Sequence, residues 1–142
     1  MTPTSWLYDF LEARERFRPT AYKPTPRDKW TIGYGHTDGV SEGDTCTLDQ
    51  AKTWLRDDAM TAVRAINQHV TVALTQSQFD ALCSLVFNIG VAAFEESTLL
   101  HHLNDKHYDA AAAEFLRWDH QAGVVLAGLR ERRKAERDHF VE

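Results

Sequence analysis

Apolar and polar positions recur at helical spacing along most of this chain, with one interruption near its start. Trp6, Leu7, Phe10 and Leu11 share a helical face, Pro3 suits a first helical turn and Pro19 closes the segment, which predicts a short amphipathic helix ending near residues 15–17. From Pro19 to Val40 the texture changes: Pro24, Pro26, Gly33, Gly35 and Gly39 surround a run of β-formers, Trp30-Thr31-Ile32-Gly33-Tyr34. That pattern predicts a small sheet region. Thr47-Leu48-Asp49-Gln50 is a capping box, and Leu48, Ala51, Leu55, Ala59, Ala62, Val63 and Ile66 follow it at steps of three and four, predicting one long helix. Thr75-Gln76-Ser77-Gln78 repeats the box ahead of an apolar stripe, Phe79, Leu82, Cys83, Val86 and Phe87, that stops at Gly90, a natural C-terminal glycine. Further helices are predicted over 97–103, 109–118 and 129–140, with Gly123 and Gly128 bracketing a connecting loop.

Segregated strands and helices make this an α+β chain. The pattern reads as one domain whose lobes cover about 1–46, with a β-hairpin, and 67–142, mostly helical, joined by a long helix over 47–66. A cleft between the lobes is the expected ligand site.

Composition narrows the classes. At 142 residues, 43% hydrophobic and 26% charged, the chain is an ordinary globular domain. No run approaches the roughly 18 apolar residues of a membrane span, and Met1-Thr2-Pro3-Thr4-Ser5 does not resemble a secretory signal, so no membrane insertion is expected and the protein is expected in the cytoplasm until something releases it. Cys46 and Cys83 read as reduced packing residues rather than a disulfide framework. Sixteen Lys and Arg against twenty-one Asp and Glu give −5, which argues against a nucleic-acid partner without a local basic patch.

The chemistry concentrates in Glu15-Arg16-Phe17-Arg18-Pro19-Thr20-Ala21-Tyr22 and Trp30-Thr31-Ile32-Gly33-Tyr34-Gly35-His36-Thr37. A carboxylate at a helix C-terminus faces the negative end of the macrodipole, which favours the protonated state that a general acid needs. On an extended strand Thr31, Gly33 and Gly35 share one face, and two bare glycines beside a hydroxyl leave room for a bulky ligand; the same glycines also fit a bulge or turn. His101, His102 and His107 invite a metal reading, but their spacing suits no single helical face, so no metal is expected. The acids between Asp38 and Asp49 lack the ordered ligand pattern of a calcium loop and read as a solvated connector.

These two stretches, the helix end Phe87-Asn88-Ile89-Gly90 and the tail Gly128-Leu129-Arg130-Glu131-Arg132-Arg133-Lys134-Ala135-Glu136-Arg137 resemble, in order and over nearly the whole chain, the phage-type lysozymes, the endolysins of glycoside hydrolase family 24. The resemblance implies a two-lobed lysozyme-like fold and hydrolysis, without cofactor, of the β-1,4 bond between N-acetylmuramic acid and N-acetylglucosamine in bacterial peptidoglycan. It implies Glu15 as general acid, with Glu12 fitting the spacing poorly, and Thr31 as the residue that helps hold the attacking water. The family usually carries Asp or Cys two residues after the tyrosine and six before the threonine, positions that here hold Pro24 and Thr25. The loop is one residue longer than the common form and its only acid is Asp28, which is expected to act as general base or electrostatic stabiliser; a solvated turn residue is the alternative.

The resemblance further implies that His36 and Asp58 pair across the lobes, that Arg130 and Arg133 lie near the general acid, and that Gly35 and Phe87 line the cleft, although a Phe on an apolar stripe also fits core. The run from Arg130 to Arg137 reads as a salt-bridge-laced surface helix or as a basic patch for the anionic wall. A monomer is expected, dependent on a separate holin-like permeabiliser to pass from the host cytoplasm to the cell wall in the periplasm, and inversion is the implied stereochemistry. A second reading is a peptidoglycan-binding module on the same fold without efficient catalysis, supported by the missing acid. A helical adaptor or nucleic-acid binder fits neither the charge nor the strand motif.

Overall fold

The computed structural model describes residues 1–121 and 123–142. The chain runs through α1 (Ser5–Glu15), β1 (Arg18–Tyr22), β2 (Thr31–Gly33), α2 (Leu48–His69), α3 (Gln76–Ile89), α4 (Val91–Glu95), α5 (Thr98–Asn104), α6 (Tyr108–Glu114), a single 3-10 turn at Phe115–Arg117, β3 (His120–Gln121), β4 (Val124–Val125) and α7 (Ala127–Phe140). The α+β organisation read from the sequence is the one observed. The chain divides into two compact units, one of Tyr8–Met60 and one of Met1–Leu7 with Thr61–Glu142. The division falls inside α2, a continuous helix of 22 residues.

In the Tyr8–Met60 unit, β1 and β2 pair antiparallel with Arg18 opposite Gly33 and Tyr22 opposite Thr31, and the register shifts between those pairs. The other edge of β1 is also paired. Ala21 N–H donates to Asp44 O and Cys46 N–H to Pro19 O, both at 2.9 Å. The stretch read as a solvated connector is therefore hydrogen-bonded into the sheet at its far end. Pro19 lies within β1 and does not close α1; the helix stops at Glu15, and Arg16 leaves it with φ 52°, a left-handed turn of the kind that ends many helices. Pro3 likewise precedes α1, which begins at Ser5. Thr47 and Gln50 close the predicted capping box, Gln50 N–H donating to Thr47 Oγ1 at 3.2 Å and Thr47 N–H to Gln50 Oε1 at 2.9 Å. Leu11, Ile32, Ala51, Leu55 and Ala59 form the apolar interior of this unit.

In the other unit α3 supplies a buried run from Phe79 to Val86, and Phe94, Leu99, Leu103, Phe115 and Phe140 are buried with it. Burial of side chains of this size contributes about 1.5–3 kcal/mol each. Thr75 caps α3 through a complete capping box with Gln78, and Gly90 closes it. The first residues of the chain are tied down here: the Met1 ammonium donates to Asn67 Oδ1 at 3.0 Å, and Thr4 N–H and Oγ1 both donate to the buried Asp80. A buried polar cluster links α3 to α7. Ser84 Oγ donates to Glu136 Oε2 at 2.5 Å, Arg133 Nε lies 2.6 Å from Glu136 Oε1, and Arg132 Nε lies 3.4 Å from Oε2. Burial pushes the Glu136 carboxyl up, against the pull of Arg133 and Arg132. Cys46 and Cys83 are both free thiols, and burial pushes the Cys83 thiol well above its ordinary range.

Two local readings need correction. Gly128 belongs to the first turn of α7 rather than to a loop, and the connection before it holds a short hairpin, His120 pairing with Val125 and Gln121 with Val124. The helix predicted over 109–118 is α6 followed by the 3-10 turn.

Candidate active site

Glu15 is the last residue of α1, so its carboxylate is held at the point where the chain turns into β1. Its surroundings come from the return of the hairpin. Ile32 and His36 exchange both backbone hydrogen bonds at 2.9 Å, folding Gly33-Tyr34-Gly35 into a tight loop in which Gly33 has φ 64° and Gly35 φ 77°, a conformation that glycine adopts without the Cβ penalty. A Cβ on Gly35 would stand 2.9 Å from Glu15 Oε2. The backbone of Gly35 is therefore pressed against the Glu15 carboxylate, and the absence of a side chain permits the approach.

The loop is itself anchored. His36 Nδ1 lies 2.8 Å from Asp58 Oδ2, the spacing of a strong hydrogen bond to a carboxylate, and the imidazole stacks on Trp54 at 4.6 Å with 9° between the planes. His36 and Asp58 both belong to the Tyr8–Met60 unit, so this is a contact within one unit rather than across two. Gly33 has a different partner from Gly35: a Cβ there would meet Ala51 Cβ at 3.0 Å. Of the two readings of these glycines, a shared ligand-facing strand face or a turn, the turn is the one observed: β2 ends at Gly33, and the alternation of an extended strand ends with it.

Glu15, Asp28, Thr31 and Gly35 come together around one recess of about 560 Å³, which Tyr22, Pro24, Arg27, Lys29 and Thr37 also line. All nine residues lie in the Tyr8–Met60 unit. Thr31 is buried, and its hydroxyl donates to Lys29 O at 3.0 Å, which commits the proton and leaves the oxygen as an acceptor. Asp28 is exposed on a turn closed by its N–H donating to Thr25 O at 3.0 Å. Arg27 and Lys29 were not singled out from the sequence; the signal that could have found them is the local density of basic residues in an acidic chain.

The remaining expected site residues lie in the other unit. Phe87 is half-buried on α3. Arg130 Nε lies 3.4 Å from Asp119 Oδ2, and Arg133 is wholly buried beside Glu136. Among the described residues no group of three or more His, Cys, Asp and Glu side chains could hold a metal ion.

Comparison with known proteins gives this geometry a context. The model of the phage lysozyme family matches residues 12–136. An endolysin of Acyrthosiphon pisum secondary endosymbiont phage 1 is 46% identical over 116 residues, covering 79% of this chain and 80% of the relative. The endolysin of Salmonella phage P22 is 44% identical over 136 residues, with 92% of each covered. Among solved structures, the muramidase domain of SpmX from Asticaccaulis excentricus superposes with a TM-score of 0.92 at 36% identity, over 99% of this chain and 98% of that one.

Proposed function

The chain belongs to the phage lysozyme family, and from that premise we propose that Glu15 is the general acid of its peptidoglycan-hydrolysing reaction. The protein is an endolysin, a glycoside hydrolase of the lysozyme class acting on bacterial peptidoglycan. In the proposed mechanism the Glu15 carboxyl protonates the glycosidic oxygen between N-acetylmuramic acid and N-acetylglucosamine, a water donates a hydrogen bond to Thr31 Oγ1, and Asp28 takes the water's proton or stabilises the developing positive charge. What carries the reading is one juxtaposition: Glu15, Asp28 and Thr31 line a single recess, with Gly35 framing the Glu15 carboxylate. A water between two carboxyls roughly 6.5–9.5 Å apart gives inversion, and single displacement with inversion is the outcome we propose.

The test uses isolated peptidoglycan with turbidity and new reducing ends followed together. Glu15→Gln is expected to lose both by about 10²–10⁴-fold, and Asp28→Asn to lower the rate while leaving wall binding intact. An unchanged rate in Glu15→Gln removes the assignment. The second reading, a peptidoglycan-binding module without efficient catalysis, rests on Pro24 and Thr25 standing where the family usually has an acid; wild type that binds the wall and releases no reducing ends favours it.

Among the described residues no helix is long and apolar enough to cross a membrane. We propose, from the family resemblance, a monomer that reaches the periplasmic wall from the host cytoplasm through a separate holin-like permeabiliser. Expression alone and with such a permeabiliser tests the dependence: lysis without the permeabiliser refutes it.

A further inference from the structure

We propose that Arg27 and Lys29 form an anion subsite of the recess, taking a carboxylate from the peptide branch that the substrate's muramic acid carries; this rests on the hydrolase reading above. Residues 14–29 hold six basic side chains, Arg14, Arg16, Arg18, Lys23, Arg27 and Lys29, and two acidic ones, Glu15 and Asp28, in a chain of net charge −5. The basic run of α7, by contrast, is spent internally. Arg130 lies beside Asp119, Arg132 and Arg133 beside Glu136, Lys134 beside Glu131 and Arg137 beside Asp138. Among these two basic runs of the described residues, the cations without an ion-pair partner are therefore those of residues 14–29 rather than those of the C-terminal helix.

Within residues 14–29 the cations divide again, the exposed Arg16 not lining the recess. Arg14 lies over the Phe10 ring, Arg18 over Tyr22 and Lys23 over Trp30, at 4.9, 4.8 and 5.3 Å from the ring centroids. Among the described residues, the side chains of Arg27 and Lys29 make no hydrogen bond, ion pair or ring contact, and both line the recess that holds Glu15. Both are exposed, so each meets an incoming group without first breaking an internal pair.

The chemistry of the substrate selects the occupant. The N-acetylated sugars of the glycan are uncharged, so two cations beside the scissile bond find a partner only on the branch, whose free carboxylates fit a guanidinium fork. Asp28 stands between the two cations and opposes an anion, but two positive charges face it against one negative. Glu15 is neutral in the protonated state that acts as acid. A wall-linked phosphate offers the same anionic chemistry, and the experiment separates the two.

The full-length protein and the Arg27→Gln/Lys29→Gln variant are compared on sacculi free of phosphate polymer, either native or with their carboxylates converted to methylamides. The variant is expected to raise KM about tenfold on native sacculi, the ordinary worth of one charge-assisted contact, and to match wild type on methylamide sacculi. Equal KM values on native sacculi overturn the subsite, and so does a tenfold difference that persists on methylamide sacculi. A third arm uses walls that carry phosphate polymer and have methylamidated carboxylates; a difference that returns there reassigns the anion to phosphate and overturns the carboxylate. Unfolding temperatures of both proteins check that the exposed substitutions leave the fold intact. If wild type releases no reducing ends, the hydrolase reading fails by itself. The subsite is then decided by the wall affinity of Glu15→Gln with and without the two substitutions, on the same three walls.

Discussion

Gly35 measures how closely the carboxylate of Glu15 is framed. A methyl group there would lie 2.9 Å from Oε2 at a backbone φ of 77°, so Gly35→Ala meets two obstacles, a clash and a strained conformation. Backbone strain of this kind costs about 1–3 kcal/mol, and if Glu15 is the acid proposed above, its displacement is expected to lower kcat/KM by about tenfold or more; thermal unfolding and reducing-end release measure the two effects separately. If Gly35→Ala keeps full activity, the close approach has no functional weight. The placement of Glu15 at a helix end and of Thr31 at the start of a short strand was legible in the sequence, because a helix end and a β-former run each survive without knowledge of the loop between them; the roles proposed for them came from the family resemblance. Of the two readings of Gly33, the turn is the one observed, for a physical reason. Strand alternation predicts a side chain's face only while the backbone stays extended, and the left-handed φ of Gly33 ends that rule two residues before Gly35. Arg27 and Lys29 escaped notice because loop side chains have no period to read.

At the scale of elements, helices with chemical punctuation were found where their punctuation lies. The box at Thr75 and Gln78 fixes the start of α3, with Gln78 N–H donating to Thr75 Oγ1 at 3.1 Å, and α3 then buries most of its length against the interior of its unit. Thr75→Ala is expected to destabilise the protein by about 1 kcal/mol, read as a lower urea midpoint at unchanged slope. The elements that sequence reading missed are short. α4 has five residues, and the hairpin of β3 and β4 has two-residue strands, too few for a hydrophobic period to emerge. Gly128 looked like loop punctuation because glycine marks helix ends more often than helix starts. Here it sits one residue inside α7, whose N-cap, Leu126, makes no side-chain capping hydrogen bond.

For the molecule as a whole, the buried cluster of Ser84, Arg132, Arg133 and Glu136 ties stability to pH. Burial raises the Glu136 carboxyl above its ordinary value of 4.5, so the native state holds that proton more tightly than the unfolded chain does. The stability it contributes is fully present below the ordinary value and is lost as pH rises through the raised one. The difference in unfolding free energy between wild type and Glu136→Gln is therefore expected to move against wild type as pH rises above the ordinary carboxyl value in a urea series. A difference that moves the other way shows that the two arginines outweigh burial. No sequence pattern announced this cluster, since the same run of arginines and glutamates reads equally well as a solvated helix face.

The tether at the start of the chain has a consequence in time. Met1 bonds to Asn67 across 66 positions and Thr4 to Asp80 across 76, and the unit they join is completed only by the segment from Thr61 to Glu142. During synthesis the stretch from Tyr8 to Met60 leaves the ribosome as one uninterrupted piece. The segment from Met1 to Leu7, by contrast, must wait for partners made much later. At about 5–20 residues per second that wait lasts several seconds, during which the segment is open to proteases and chaperones.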